Sequence, residues 1–284
     1  MRTGGKMVSS SEGTSVSLGI IIKGPEGLVL AAESRVTVTQ PVGQGQSIHV
    51  NYDNATKLLS FSAPHTTVGA VTYGQAAIGL RTAHSFVPEF EAGLPANRLP
   101  VGEFAKQLSD FMMQQWQAAM PSDYNGPDIT FVVGGFNENE AYGRVFTFDI
   151  PRKPVPTESN QNAGEFGITW GGQREFVDRL IQGYDNRLLA IVRNAVNMQP
   201  AQVQQLQQAL AGIQMPLPLA AMPLQDCVDL AIFFIRTTIT AQRLTVGIRG
   251  CGGPIDVATI TRREGFRFVQ RKEITGESHL ISSI

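Results

Sequence analysis

The sequence predicts an α+β protein in which antiparallel sheets are covered by helices on their outer faces. Strand-like runs occur in groups separated by turn residues. Amphipathic helical patterns also occur in groups and do not alternate singly with the strands, which argues against a doubly wound parallel sheet. The 284 residues are 42% hydrophobic, enough for a sizeable core.

The first half of the chain contains five predicted strand segments and two helical patterns. A hairpin is predicted from residues 17–22 and 28–32, which flank the turn sequence KGPEG. Extended structure is expected to continue to Thr39. Further strands are predicted at 47–52, 57–62 and 68–74, and helical patterns at 75–90 and 102–118.

The second half repeats this grouping. A strand pair is predicted at 128–136 and 144–150. Three helical patterns follow, at 173–196, 201–210 and 226–241. The last strands are predicted at 244–248 (LTVGI), 256–261 and 266–270.

Composition and charge exclude several classes of protein. The net charge is −1 without a basic block, which excludes a binder that follows nucleic-acid phosphates. The two cysteines cannot form a disulfide framework or a four-thiolate zinc site. No two of the four histidines have metal-ligand spacing on one helix face, so neither a metal nor a cofactor is predicted. The charged fraction of 17% is low and fits a surface partly covered by a partner.

No targeting or membrane signal is found in the sequence. The longest unbroken apolar run is six residues, 230–235, far too short to span a bilayer. Residues 1–13 are small, polar and rich in Gly and Ser, which predicts a leader without a hydrophobic signal region. The expectation is a cytoplasmic protein without a membrane partner.

Familiar catalytic motifs such as GxGxxG, the phosphate loop and GxSxG are absent from the sequence. A hydroxyl side chain, Thr14 or Ser15, precedes the first strand. Glu33 ends the second strand and Lys57 opens a later one. A terminal hydroxyl residue can use its own α-amine, with an ordinary pKa of about 7.7–8.0, as general base, and a nearby ammonium stabilises the alkoxide. The same residues also fit an exposed Lys57 in a surface ion pair.

Longer stretches of the chain resemble the proteasome β-type subunits, which are N-terminal-nucleophile hydrolases. The similar stretches are residues 13–37, 56–61, 70–76, 128–150 and 251–266, the last reading CGGPIDVATITRREGF. The resemblance implies a four-layer αββα sandwich of two antiparallel sheets with outer helix pairs. It also implies homo-oligomeric rings whose active sites face an inner chamber.

The resemblance assigns roles to single residues. Glu33 matches the family's acid, Arg35 the arginine two residues on, and Lys57 the active-site lysine. The Gly-Thr cleavage pattern makes Thr14 the nucleophile, whereas counting back from Gly19 makes it Ser15. The two choices exclude each other, because a slip of one residue moves a side chain to the other face of a strand.

Four positions depart from the family pattern around that site. Gly172 and Cys251 stand where the family has serines, and Ile248 stands where it has an aspartate. Val71 matches the glycine whose backbone N–H lines the oxyanion hole. Loss of such supporting groups commonly lowers activity without changing the fold.

The resemblance divides the chain into a leader at 1–13, a proteasome-type domain at 14–270 and a tail at 271–284. Insertions are expected at 38–56 and near 197–225, and the second is a candidate docking surface or chamber lid.

Three functions follow. The first is a self-processing threonine-type endopeptidase that degrades polypeptides inside a ring, with an ATPase or cap as a possible partner. The second is a non-catalytic ring or scaffold subunit. The third is an amide hydrolase or transpeptidase of the same superfamily.

Overall fold

The computed structural model describes residues 17–43, 46–159, 161–162, 164–247 and 249–276. Within these ranges the chain forms twelve strands and six α-helices. The strands are β1 Leu18–Lys23, β2 Leu28–Glu33, β3 Val36–Gly43, β4 Gln46–Tyr52, β5 Leu58–Ser60, β6 Val68–Gly74, β7 Ile129–Gly135, β8 Arg144–Ile150, β9 Lys153–Ser159, β10 Gly167–Gly172, β11 Ile255–Thr261 and β12 Gly265–Gln270. The helices are α1 Val87–Ala92, α2 Val101–Ala119, α3 Glu175–Gln182, α4 Arg187–Val196, α5 Pro200–Ala211 and α6 Leu224–Leu244.

The strands form two five-stranded sheets and a separate hairpin. The first sheet has the order β10-β1-β2-β11-β12, and the second has the order β5-β6-β7-β8-β9. The hairpin consists of β3 and β4. Every pairing between these strands is antiparallel. The predicted α+β class with antiparallel sheets is therefore confirmed.

Three buried apolar clusters connect the elements. One joins residues of both sheets, including Ile21 and Leu30 from the first and Val71 and Val132 from the second. Another packs α1 and α2 on the second sheet. The last packs α3 and α6 on the first sheet. One cluster is therefore shared by both sheets, and each of the other two joins helices to a single sheet.

Helix α2 illustrates how the sequence pattern produces this packing. Phe104, Leu108, Met112 and Trp116 recur every four residues and are all buried. This spacing keeps them on one face of a helix, which is the face that contacts the second sheet. The predicted helix at 102–118 is confirmed.

The register of the β1–β2 hairpin positions the site described below. Lys23 faces Leu28 across the turn, and Gly19 faces Ala32. This register brings the first residues of β1 next to Glu33, the last residue of β2. Chain direction and turn length thus fix which residue lies beside that carboxylate.

Three predicted elements differ from the structure. LTVGI is not a strand, because α6 continues to Leu244 and residues 245–247 form no regular element. The helical pattern at 173–196 is two helices, because Gly183 ends α3 with a left-handed φ of 81°. In the pattern at 75–90, α-helix begins only at Val87, after a 3-10 turn at Ala83–Phe86.

The predicted insertion near 197–225 contains α5 and a short 3-10 helix at Leu219–Ala221. The domain boundaries at 14–270 and 271–284 stay predictions, and the leader at 1–13 lies outside the described residues. Among the helices in the described ranges, none has the length and apolar character needed to cross a membrane.

Candidate active site

The ammonium of Lys57 is buried at one end of the two sheets. Lys57 directly precedes β5, and its side chain is only 7% exposed. Nζ donates to the hydroxyl of Ser17 at 2.8 Å, to the backbone oxygen of Arg35 at 2.5 Å, and to Glu33 Oε1. An ammonium has three donors, so all three are used. The alternative of a solvent-exposed Lys57 is therefore wrong.

The carboxylate of Glu33 is also buried and receives four donors. Oε1 accepts from Lys57 and from the backbone N–H of Leu18 at 3.2 Å. Oε2 accepts from the backbone N–H groups of Arg35 at 2.7 Å and Gly252 at 3.0 Å. Four donors fill the lone-pair sites of a carboxylate. Glu33 thus anchors Lys57 to β2, to the start of β1 and to the loop before β11.

Ser17 supplies the hydroxyl in reach of Lys57. It directly precedes β1, and its carbonyl oxygen accepts from the backbone N–H of Gln173 at 2.6 Å. Its φ of 143° lies in a region that residues other than glycine rarely adopt. Such strain costs on the order of 1–3 kcal/mol and must be held by the surrounding contacts.

Cys251 borders the same site. Its side chain is buried, and its backbone N–H donates to Gln242 Oε1 at 2.9 Å. Burial raises the pKa of the Cys251 thiol well above its usual value, and the Glu33 charge raises it further. Lys57, Arg35 and a hydrogen bond with the Ser17 backbone N–H oppose the increase. The thiol is therefore neutral near pH 7 and lies against the main chain of Ser17.

Arg35 closes the site on the side of the β3–β4 hairpin. Its guanidinium binds both oxygens of Asp53, with Nε to Oδ1 at 2.6 Å and Nη2 to Oδ2 at 2.7 Å. It also donates to the backbone oxygen of Arg249 at 3.1 Å. A Cβ at Gly252 would lie 2.3 Å from the guanidinium carbon, so a larger residue there would displace the Arg35 side chain. The hydrogen bond with Arg35 lowers the pKa of Asp53.

The resemblance assigns the backbone N–H of Val71 to the oxyanion hole, and the structure places Val71 inside β6. Val71 lies in the middle of β6, between Leu58 of β5 and Val132 of β7. Its side chain is in the core between the sheets, where a Cβ at Gly19 would meet it at 2.4 Å. It does not line the cavity beside Ser17. The part of this segment that lines the cavity is residues 72–76, at and beyond the end of β6.

That cavity is small, about 20 Å³, which is room for roughly one water molecule. Ser17, Lys57, Thr72 and Gly74 contribute to its walls. Thr72 also fixes the main chain of Lys57, since its N–H donates to the Lys57 oxygen at 2.9 Å. The cavity therefore joins the hydroxyl, the ammonium and the end of β6.

No metal centre is found in the described part of the chain, where no group of three His, Cys, Asp or Glu side chains is arranged to hold an ion. The chemistry available at this site is that of a hydroxyl, a buried ammonium and a carboxylate.

Sequence reasoning named Glu33, Arg35, Lys57, Gly172 and Cys251 in this region, and the structure brings all five together around Ser17. Thr14, Ser15 and Ile248 lie outside the described residues. Sequence reasoning missed Ser17. The hairpin register could have found it, because pairing Lys23 with Leu28 puts the residue before Leu18 next to Glu33.

Comparison with known proteins gives a structural match. No family model matches the chain, and no curated protein matches it. Among solved structures, the chain is similar to the Anbu (Gly-1) mutant from Hyphomicrobium sp. strain MC1. The fold resembles that of Anbu.

The alignment with Anbu covers 93% of this chain and 90% of the Anbu chain, with a TM-score of 0.53 and 15% identity. Similarity of this extent at such low identity concerns the fold alone.

Proposed function

We propose that the chain is a proteasome-like hydrolase subunit of the N-terminal-nucleophile type, with Ser17 as its nucleophile. The observation that carries the proposal is the buried contact of Lys57 Nζ with the Ser17 hydroxyl at 2.8 Å. The proposal revises the predicted choice between Thr14 and Ser15, and it makes the enzyme serine-type where the sequence suggested threonine-type.

The electrostatics support a nucleophilic hydroxyl. A fixed positive charge in a buried site lowers the free energy of an adjacent alkoxide far more than it would in water. Lys57 keeps its orientation because Glu33 and the Arg35 carbonyl take its other two donors. The ammonium is thus directed at the Ser17 oxygen before any substrate arrives.

A general base arises when the Val16–Ser17 bond is cut. In the intact chain the nitrogen of Ser17 is an amide and cannot accept a proton. In self-cleavage the Ser17 hydroxyl attacks the Val16 carbonyl, the acyl group passes from nitrogen to oxygen, and water hydrolyses the resulting ester. The products are the released leader and a Ser17 α-amine. Such an amine, with a pKa of about 7.7–8.0, can take and return protons near neutral pH.

The backbone strain at Ser17 favours this cleavage. The φ torsion of Ser17 is defined by the peptide bond to residue 16, so cutting that bond removes the constraint. The strain, on the order of 1–3 kcal/mol, would be released in the product. The leader removed would then be residues 1–16, three residues longer than the sequence pattern suggested.

With substrate, the Ser17 oxygen would attack an amide carbonyl and form an acyl-enzyme, while the α-amine transfers the proton to the leaving nitrogen. Water would complete the reaction. Polypeptides are the proposed substrates, and the four-layer αββα arrangement and ring assembly are proposed with them. The layering is supported by the three buried apolar clusters, one between the two sheets and two between helices and a sheet. Exposed apolar side chains on helices are available for contacts between subunits: Ile191 at 61%, Val196 at 64% and Phe233 at 46% exposure.

A second candidate function is a non-catalytic ring or scaffold subunit. The observation that favours it is the small cavity beside Ser17, about 20 Å³, which does not admit a peptide without opening. Gly172, where the proteasome subunits have a serine, also leaves the site without that hydroxyl.

Intact-mass spectrometry of the purified full-length chain tests the proposal. We expect the wild type to lose residues 1–16 and to hydrolyse fluorogenic peptide amides. Ser17→Ala should keep the leader and lose hydrolysis, whereas Thr14→Ala and Ser15→Ala should be processed like the wild type. Ser60→Ala, which changes an exposed serine, is the matched control. An intact leader together with no hydrolysis in the wild type would favour the scaffold function.

A further inference from the structure

A second cavity lies at the opposite end of β6 from the candidate active site. Its volume is about 300 Å³, and Thr67, Arg98, Phe136 and Arg262 are among its walls. Thr67 directly precedes β6, whereas Gly74 at the other end of that strand lines the Ser17 cavity. At about 3.3 Å per residue, the two cavities are roughly 20 Å apart along the strand.

The guanidinium of Arg98 has unused donor capacity in this cavity. Nη2 donates to the backbone oxygen of Phe136, but the buried Nε has no hydrogen-bond partner. In the described part of the chain, no carboxylate lies within ion-pair distance of Arg98. The Arg98 side chain is half-buried, and a polar atom removed from water, like its Nε, normally has a hydrogen-bond partner, since leaving it without one is costly.

Two further groups of the cavity have unused hydrogen-bonding capacity. The buried hydroxyl of Thr67 has no hydrogen-bond partner. Arg262, at the turn between β11 and β12, has no ion pair with any described residue. Glu138 also borders the cavity but is exposed and is not within ion-pair distance of either arginine. The cavity therefore has two uncompensated positive charges and a free hydroxyl.

The groups next to the cavity do not neutralise these charges. His65 accepts a hydrogen bond at Nε2 from the backbone N–H of Leu99 at 3.2 Å, which requires that nitrogen to be unprotonated. Burial lowers the pKa of His65, and the positive charge of Arg98 lowers it further. Asn137 is already committed, since it accepts from the first N–H of α2 and donates to Glu140.

We propose that this cavity binds the phosphate or carboxylate group of a small molecule, held by Arg98 and Arg262 and by the Thr67 hydroxyl. Arginine forks match the paired oxygens of both groups, and charge-assisted hydrogen bonds of this kind are the strongest in proteins. A ligand oxygen would give Arg98 Nε and Thr67 Oγ1 the partners that they lack. This site is separate from Ser17, so the inference does not rest on the proposed hydrolase function.

Isothermal titration of the full chain with inorganic phosphate, and separately with acetate, tests the proposal. Both are titrated at constant ionic strength against a chloride background, and the tighter anion identifies the preferred group. We expect saturable binding that Arg98→Met and Arg262→Gln each weaken by about tenfold or more, about 1.4 kcal/mol. Arg193→Gln, which changes an exposed arginine on α4, should bind like the wild type.

Thr67→Val separates binding from folding. Because the Thr67 hydroxyl has no partner, its loss should not lower the melting temperature of the chain without ligand. The upward shift of that temperature with phosphate or acetate should shrink. If Arg98→Met does not fold, Arg262→Gln carries the test, since that side chain is exposed. Absence of saturable binding by both anions, or equal binding by the wild type and the folded arginine variants, would overturn the proposal.

Discussion

Gly172 lies directly against the main-chain oxygen of Ser17. A Cβ at Gly172 would be 1.9 Å from that oxygen, and the residue has a φ of +90°. Both facts exclude any other residue at the end of β10. Glycine at this position thus allows the next N–H, that of Gln173, to bind the Ser17 carbonyl.

Gly172→Ala should therefore destabilise the protein and displace Ser17. The steric clash and the left-handed φ together should lower the free energy of unfolding by about 2 kcal/mol or more. Urea denaturation measures this loss. Gly164→Ala is the control, because a Cβ there meets nothing within 4 Å. Equal stabilities of the two variants would show that Gly172 is not constrained as described.

Lys57→Met tests the buried ion pair. Removing one partner leaves the Glu33 charge uncompensated, which typically costs 3–5 kcal/mol. Peptide hydrolysis should fall by at least about a hundredfold, as expected when a charge that stabilises the reacting oxygen is lost. Lys106→Met, at an exposed pair with Asp110, should change stability by less than about 0.5 kcal/mol.

The double variant Lys57→Met/Glu33→Gln distinguishes stability from chemistry. Removing both charges should restore part of the lost stability, since no unpaired charge stays buried. Hydrolysis should stay lost. Recovered hydrolysis in this variant would contradict a role for Lys57 at the reacting oxygen.

Stability should fall as the pH rises above about 8.5. The folded state holds the Cys251 proton because burial raises the pKa of the thiol. The unfolded chain releases that proton near its ordinary pKa of about 8.5 and so binds fewer protons than the folded chain. Urea titrations at pH 7.5 and 9.5 should show a smaller decrease for Cys251→Ala than for the wild type.

Cys227 allows a comparison within the same experiment. Burial raises the pKa of Cys227 to about 11, so this thiol also makes the free energy of unfolding fall as the pH rises. The double variant Cys227→Ala/Cys251→Ala should have the flattest profile. A decrease in Cys251→Ala as large as that of the wild type would place the alkaline sensitivity elsewhere.

Asp53 makes the stability of the folded chain depend on pH in the acid range, where stability falls as the pH falls. The hydrogen bond with Arg35 lowers its pKa, so its stabilisation is present above about pH 4 and is lost as the pH falls further. Asp53→Asn should reduce the loss of stability between pH 5 and pH 2, measured by urea denaturation. An unchanged acid profile would mean that the Arg35–Asp53 contact contributes little in solution.

The strongly periodic elements could be predicted from the sequence. The four-residue spacing from Phe104 to Trp116 determined α2 correctly because burial of one helix face follows directly from that spacing. LTVGI was predicted as a strand on its local β-propensity, but α6 continues through Leu244, and Gln242 near its end is buried and accepts from the Cys251 backbone N–H. Packing between distant elements overrides local propensity at such ends.

The site was partly predictable. Glu33 and Lys57 were assigned because their positions beside strands match the acid and the lysine of the proteasome subunits, whereas the residues alone also fitted an exposed ion pair. The hydroxyl that contacts Lys57 was not among the predicted residues, because Thr14 was chosen from a cleavage pattern and Ser15 by counting back from Gly19. Strand register, which requires knowing that Lys23 pairs with Leu28, determines that Ser17 is the residue beside the acid.

The partners of this ion pair come from different sheets, since Glu33 ends β2 and Lys57 precedes β5. A nascent chain on the ribosome has neither the closed interface nor the dry surroundings that bring the two together. If the proposed hydrolase function holds, we therefore expect the Glu33–Lys57 pair to form beside Ser17 only once the two sheets have packed together. An incompletely folded copy would then lack the proposed peptide-bond cleavage activity. Folding itself would set the time at which self-cleavage begins, without a separate inhibitor.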